Sequence, residues 1–245
     1  MERVLICGAT SAIAFEVAKC FAERKARLFL AGRSPEKLCE IKRELLALGA
    51  EQITTRAIDL TDFEQHPSLI DSAVEALHGI DAALIAHGSR GDQKACEKDI
   101  EETLRELTIN CTSVISLLTI LANYFEAERR GCIAVISSVA GDRGRQSHYV
   151  YGTAKGALSI FLQGLRNRLH KSGVSVITIK PGFVDTPMTA ALRKNALFAK
   201  APAVGRSIYK GMLKEQGVMY VPWFWRPIMA VVKTIPESIG KRLNM

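Results

Sequence analysis

CIAVISSVAGDRGRQSHYVYGTAKGALSIFLQGLRNRLHKSGVSVITIK, residues 132–180, decides how this chain folds. It opens on an apolar, β-branched run suited to a buried strand. After the polar loop GDRGRQS, apolar residues recur at Leu158, Phe161, Leu162, Leu165 and Leu169, one face of an α-helix. Gly173 ends that helix and VSVITIK supplies the next strand. Tyr151 and Lys155, four apart near the helix start, stand one above the other on one face. Ser138 sits where the preceding strand runs out.

These residue types suit proton transfer. A phenol, with an ordinary pKa near ~10, becomes a usable acid when an adjacent ammonium stabilises its phenolate. A hydroxyl at a neighbouring strand end can hold a carbonyl oxygen within reach of that phenol. Taken alone, Tyr-x-x-x-Lys fits a packed tyrosine, a solvated lysine and a serine capping a turn at least as well.

Outward from this stretch the pattern repeats. RVLIC, from Arg3 to Cys7, runs straight into Gly8-Ala9-Thr10-Ser11-Ala12-Ile13-Ala14 and the helix FEVAKCFAERK. A strand, a tight turn and a helix N-terminus make an anion site, because backbone N–H groups and the helix dipole face one point. Strand RLFLAG, helix PEKLCEIKRELLALG, strand QITTRAI, a helix near SLIDSAVEALHG and strand DAALIAHG follow. Such alternation predicts an α/β fold, a Rossmann-type doubly wound parallel sheet, with ligands beyond the carboxyl ends of the strands. No linker or repeat interrupts it, so one domain is expected: residues 1–185 as cofactor-binding and catalytic body, residues 186–245 as substrate lid and C-terminal tail.

Composition fits an ordinary globular protein, with 48% hydrophobic and 24% charged residues. The six cysteines, Cys7, Cys20, Cys39, Cys96, Cys111 and Cys132, form no CxxC pair and read as reduced core thiols of a cytoplasmic protein. The five histidines lack HxxxH spacing, so no metal is expected. Neither a signal peptide nor an 18-residue apolar run is read. Of the net charge of +8, all falls after residue 185, where ten Lys/Arg face only Glu215 and Glu237.

The ordered motifs resemble those of the short-chain dehydrogenases/reductases over essentially the whole chain. That pattern has a glycine turn after the first strand, an Asn on the fourth helix, a Ser thirteen residues before Tyr-x-x-x-Lys, then Pro-Gly with a Thr four beyond the Gly. This chain shows Gly8, Asn110, Ser138, Tyr151, Lys155 and Pro181-Gly182-Phe183-Val184-Asp185-Thr186. The resemblance implies carbonyl reduction, with hydride from a nicotinamide and a proton from Tyr151. Lys155 would acidify Tyr151 and bind the ribose, Ser138 would orient the carbonyl, and Asn110 would hold a relay water. It further implies nucleotide contacts from Gly8, Thr10, Ser11, Ile13, Ala86 and Gly88, adenine contacts from Asp59 and Leu60, and carboxamide contacts from Val184 and Thr186. Helices 96–128 and 148–171 would pair subunits into a homodimer or homotetramer.

Two departures stand out. Ala12 and Ala14 replace the second and third glycines of the usual Gly-x-x-x-Gly-x-Gly turn, which would strain Ala12 if it needed positive φ. Ala86-His87-Gly88 replaces the usual Asn-Ala-Gly, bringing His87 near the cofactor either as a structural histidine or as a participant. At the end of the second strand Arg33 stands where an acid would select a free ribose 2′-hydroxyl, which favours NADP(H), with NAD(H) as the alternative. A solvated Arg33 beside the N-cap Ser34 and Pro35 is the plainer account.

Beyond Thr186, PMTAALRKNALFAKAP reads as a mobile amphipathic lid carrying Arg193, Lys194 and Lys200. After VMYVP comes the apolar stretch WFWRPIMAVVKTI, Trp223 to Ile235, then Pro236 and the basic end Gly240-Lys241-Arg242; it is too short to span a bilayer. Two tryptophans beside Arg226 suit a membrane interface with anionic headgroups, and equally a terminal helix docked on the core or a subunit interface. The tail, the basic lid and GDRGR…YVYGTAKGAL together resemble the decaprenylphosphoryl-2-keto-pentose reductases, the reductase component of decaprenylphosphoryl-ribose 2′-epimerases. That narrower resemblance implies a keto-sugar on a polyprenyl phosphate, a flavin oxidase partner, a role in cell-envelope precursor synthesis and peripheral contact with the cytoplasmic membrane. A 3-oxoacyl-thioester or other small-carbonyl reductase and a cofactor-sensing regulator without turnover are the alternatives. Nucleic-acid binding is not expected, since basic and apolar residues interleave without a reading motif.

Overall fold

The computed structural model describes residues 1–243; the last two residues of the tail lie outside the described residues. In chain order the elements are β1 (Arg3–Cys7), α1 (Ala12–Ala22), β2 (Arg27–Gly32), α2 (Pro35–Ala47), β3 (Gln52–Ala57), α3 (His66–Leu77) and β4 (Ala82–Ile85). Then follow α4 (Gln93–Cys96), α5 (Ile100–Leu107), α6 (Ser113–Glu128), β5 (Gly131–Ile136), α7 (Tyr149–His170) and β6 (Val174–Pro181). The chain closes with β7 (Val184–Asp185), β8 (Ala199–Lys200), α8 (Ala201–Leu213), β9 (Val218–Val221), α9 (Trp225–Thr234) and α10 (Glu237–Gly240).

Seven strands form one parallel sheet in the order β3-β2-β1-β4-β5-β6-β9, and β7 pairs with β8 in a small ribbon. Because both faces are covered, the strands are continuous apolar runs rather than alternating ones; Val4, Leu5, Ile6 and Cys7 are all fully buried. One face packs against α3, α6 and α7 through Leu69, Leu117, Phe125 and Leu158. The other packs against α1, α2 and α8 through Val17, Leu38 and Ile208. The chain after Thr186 thus returns to the fold, α8 lying on α1 and β9 completing the sheet. The strand order reverses between β1 and β4, where Cys7 is level with Ile85, and there a crevice opens beyond the strand ends.

The helix running from Ile100 to Glu128 is long and apolar enough to cross a membrane, which the sequence reading did not anticipate. Its apolar side, including Leu117, Leu118, Leu121 and Phe125, is consumed by the core. A π-turn at Thr108–Thr112 joins α5 to α6 within it. The cysteines are all free, but Cys39 is exposed and Cys20 half-buried, so those two are not core thiols. Burial pushes the thiols of Cys7 and Cys132 up to about 12.

The segment expected to be an amphipathic lid is a short 3₁₀ turn, Pro187–Thr189, then irregular chain to Phe198, with β8 and the start of α8 at its end. Its Lys194 is paired with Asp185 at 2.8 Å. The tail is divided by its own geometry. Trp225 and Met229 are buried against the core beside Phe183, whereas Trp223 is 77% exposed. Trp225 is therefore unavailable to a bilayer, because its indole fills the space beside Gly182: a Cβ on Gly182 would lie 1.9 Å from Trp225 Nε1.

Candidate active site

The turn after β1 carries the first requirement of a phosphate site. Gly8 has φ +79° and lies so close to the β4 strand end that a Cβ would come within 2.5 Å of the His87 amide nitrogen. Only glycine meets both constraints. Ser11 is the N-cap of α1, which leaves that helix's first N–H groups directed outward. The strain expected at Ala12 does not arise: Ala12 heads α1, and positive φ in this turn falls on Gly8 alone. Ala14 points into the core, fully buried among apolar neighbours, so its methyl does not narrow the crevice.

One cleft of about 340 Å³ brings most of the expected site together. Ser11, Ile13, Ala86 and Gly88 line it from the β1 and β4 ends, and Val184 and Thr186 line it from the segment after β6. Asn110, Ser138, Tyr151 and Lys155 line it from the π-turn before α6, the turn after β5 and α7. Gly8, Thr10, Arg33, Asp59 and Leu60 lie outside this cavity. Thr10 stands beside Gly32, whose added Cβ would lie 3.5 Å from the threonine methyl. Arg33 is exposed just beyond β2 and has no ion-pair partner among the described residues. The Asp59 carboxylate accepts from the Thr61 amide and hydroxyl at 2.9 and 2.8 Å, which holds it below the usual carboxylate range. The Leu60 side chain belongs to the core and its carbonyl accepts from His66 Nε2 at 3.1 Å.

The four central residues are held by neighbours the sequence reading did not single out. Ser138 begins a 3₁₀ turn, its hydroxyl accepting from the Ala140 amide at 3.1 Å. Burial pushes the Tyr151 phenol up, while a hydrogen bond with Ser138 and the charge of Arg90 pull it down. Lys155 is 3% exposed, and burial pushes its ammonium down to about 8. Its Nζ donates to the Ile136 carbonyl at 3.2 Å and lies 5.8 Å from the Tyr151 ring centroid. The lysine expected to acidify the phenol is thus turned toward the end of β5, and Ser138 and Arg90 are the phenol's acidifying neighbours here.

Asn110 lies within the π-turn, fully buried. Its amide donates to the Glu106 carboxylate and to Ser89 Oγ, each at 3.1 Å, and its oxygen accepts from the Ser89 amide at 3.1 Å. Gly88 separates it from Lys155: a Cβ there would lie 2.7 Å from Asn110 Oδ1 and 3.4 Å from Lys155 Nζ. Glu106, 2% exposed, also accepts from Ser89 Oγ at 2.6 Å. His87 bonds Ser113 Oγ through Nε2 at 2.9 Å, and burial pushes its imidazole down to about 3. Its Nδ1 is buried without a hydrogen-bond partner among the described residues, and the residue lines the cleft.

A parallel sheet with a glycine turn at its switch point, and a hydroxyl, a phenol and an ammonium in the crevice, defines a dinucleotide-dependent oxidoreductase. The sequence profile of the short chain dehydrogenase family matches residues 2–197. An uncharacterized oxidoreductase of Mycobacterium tuberculosis is 34% identical over 98% of this chain and 96% of its own length. A hydroxysteroid 11-beta-dehydrogenase 1-like protein of Xenopus tropicalis is 29% identical over 92% of this chain and 80% of its own. Levodione reductase superimposes with a TM-score of 0.81 at 21% identity, covering 89% of this chain and 95% of that one. NAD+-bound xylitol dehydrogenase does so with 0.79 at 19% identity, covering 89% and 96%. The chain belongs to the short-chain dehydrogenase/reductase family and is an NAD(P)-dependent oxidoreductase.

The residues present fit a nicotinamide dinucleotide. The Gly8 turn and the α1 N-terminus form a phosphate cradle, and Ser11 and Ile13 of that cradle line one cleft with His87, Val184 and Thr186.

Proposed function

We propose that this enzyme reduces a ketone, carried on a sugar joined to a polyprenyl phosphate, to a secondary alcohol, using NADP(H) in preference to NAD(H). The cofactor supplies hydride. Tyr151 donates the proton that neutralises the oxygen as the carbonyl carbon is reduced, and Ser138 holds that oxygen beside the phenol. Lys155 turns from Ile136 toward the ribose and phenol when the nucleotide is seated. Asn110, fixed by Glu106 and Ser89, stands across Gly88 from Lys155 and carries the relay that replaces the proton. Gly8, Thr10, Ser11, Ile13, Ala86, Gly88, Val184 and Thr186 hold the nucleotide, with Asp59 at the adenine. Arg33 receives the 2′-phosphate, since no acid stands at the end of β2 to repel it.

The exposed side of the tail, from Trp223 through α9 to α10, carries the lipid assignment. Trp223, Val231 and Ile239 are 77, 66 and 52% exposed, beside the exposed cations Arg226 and Lys233. Exposed aromatic and apolar side chains among cations fit an anionic lipid surface. Met188 and Leu197 continue apolar exposure along the segment bordering the cleft. On this reading the protein works at the inner face of the cytoplasmic membrane, in cell-envelope precursor synthesis, and a flavin oxidase supplies the ketone. Exposed Ile100, Leu104 and Ile160 on α5 and α7 support pairing of those helices in a homodimer or homotetramer.

The test is turnover with NADPH and NADH of an oxidised prenyl-phosphoryl pentose beside an acetoacetyl thioester. Preference for the thioester would replace the lipid-linked sugar with a 3-oxoacyl-thioester substrate. Co-sedimentation with phosphatidylglycerol vesicles should fall severalfold in Trp223→Ser/Val231→Ser, and unchanged binding would remove the membrane assignment.

A further inference from the structure

Three basic side chains that no step above uses line the same cleft as Tyr151: Arg90, from the loop after β4, and Arg145 and His148, from the loop between β5 and α7. Arg90 Nε donates to His148 Nε2 at 3.0 Å, which makes the imidazole neutral and leaves its other nitrogen as a donor. Burial pushes His148 down, and the charges of Arg90 and Arg145 push it further the same way. Burial also pushes the Arg145 guanidinium down, with Asp142 alone opposing. That carboxylate is committed elsewhere, to Lys180 and to the Tyr220 hydroxyl. Among the described residues neither Arg90 nor Arg145 forms an ion pair, and Arg145 Nε is buried without a hydrogen-bond partner.

Two guanidinium groups lining one cavity with no carboxylate within ion-pair distance of either, Asp142 acting on Arg145 only from farther off and Glu106 held by Ser89 and Asn110, are costly to bury. They become favourable when an anion enters, because a guanidinium binds carboxylate or phosphate through charge-assisted and often paired hydrogen bonds. His148 is also the N-cap of α7, so the positive end of that helix faces the same point. The dinucleotide phosphates have their own receptor at the Gly8 turn. We propose that Arg90, Arg145 and His148 form an anion subsite in the catalytic cleft, so that the ketone substrate carries a phosphate or carboxylate group within a few bonds of the carbonyl. This rests on the reductase reading above and gives the anionic group of its substrate a receptor.

The test compares dihydroxyacetone, dihydroxyacetone phosphate and hydroxypyruvate as substrates of the full-length protein with NADPH. One anionic ketone should exceed the neutral one in kcat/KM by about ten- to hundredfold, the range of one charged hydrogen bond. The phosphate and carboxylate arms tell the two anions apart. Arg145→Gln and Arg90→Gln should each bring that ratio down by about tenfold, chiefly through KM. No anionic advantage, or one that survives both substitutions, overturns the subsite. If no ketone is reduced, the reductase reading is what fails, and the subsite is read separately by melting in inorganic phosphate with NADP+ saturating. The wild-type midpoint should then rise with phosphate more than that of Arg145→Gln, while exposed Lys214→Gln behaves as wild type; equal shifts in all three overturn it.

Discussion

The Nζ of Lys155 donates to the carbonyl oxygen of Ile136 at 3.2 Å, tying the ammonium of α7 to the last residue of β5. Burial there pushes its pKa down to about 8. The ammonium is charged below that value and neutral above it, so ketone reduction that relies on the charge should decline as pH rises through about 8. Lys155→Arg, whose guanidinium stays charged, should carry the decline beyond pH 9.5 in a kcat/KM profile. Tyr151→Phe should bind NADPH normally by fluorescence titration yet lose about 10²- to 10⁴-fold in turnover.

Arg33 is exposed at the end of β2 without an ion-pair partner among the described residues. Arg33→Glu removes the 2′-phosphate receptor and adds repulsion, so the NADPH-to-NADH ratio of kcat/KM should fall by about tenfold or more. An unchanged ratio would return Arg33 to the solvated role.

Asp142 joins three elements: it pairs with Lys180 of β6 and accepts from Tyr220 of β9 at 2.7 Å. The two charged side chains are only 10% and 4% exposed. Asp142→Ala leaves the ammonium buried without its partner, a loss of about 3–5 kcal/mol. At about 2–4 °C per kcal/mol for a chain of this size, Tm should fall by about 10 °C in calorimetry.

His87 is held neutral, its pKa pushed down to about 3 by burial. A histidine depressed from ~6.5 contributes stability that is present above that value and is lost as pH falls through it toward the folded-state value. Between pH 7 and 5 this amounts to about 2 kcal/mol. His87→Asn should lose about that much less than wild type when denaturant unfolding at the two values is compared; His66, whose imidazole is likewise pushed down by burial, is common to both.

The sheet was readable because its signals are local. A strand buried on both faces is an apolar run, and β2 occurs as the uninterrupted RLFLAG. Ser138, Tyr151 and Lys155 were readable because two share a helix face and the third ends a strand. Glu106, Ser89, Arg90, Arg145 and His148 were not, because four are loop or cap residues brought together only by the fold, and Glu106 is a buried acid on an amphipathic helix whose other acids are exposed or half-exposed. Arg90 and Arg145 did leave one trace, cations just beyond the carboxyl ends of parallel strands. The division of the two tryptophans needed the fold, since nothing in WFW tells which indole meets Gly182.

That indole gives α9 a second office. Trp225 lies in edge-to-face contact with Phe183, and Phe183 stacks on Phe198, so the helix buttresses the wall that holds Val184 and Thr186. Cutting the chain after Pro222 would open an indole-sized void behind that wall and pull down the reaction chamber along with any mooring on its outside. The two duties come apart only side chain by side chain: the hull can be stripped at Trp223 while the keel at Trp225 stays in place.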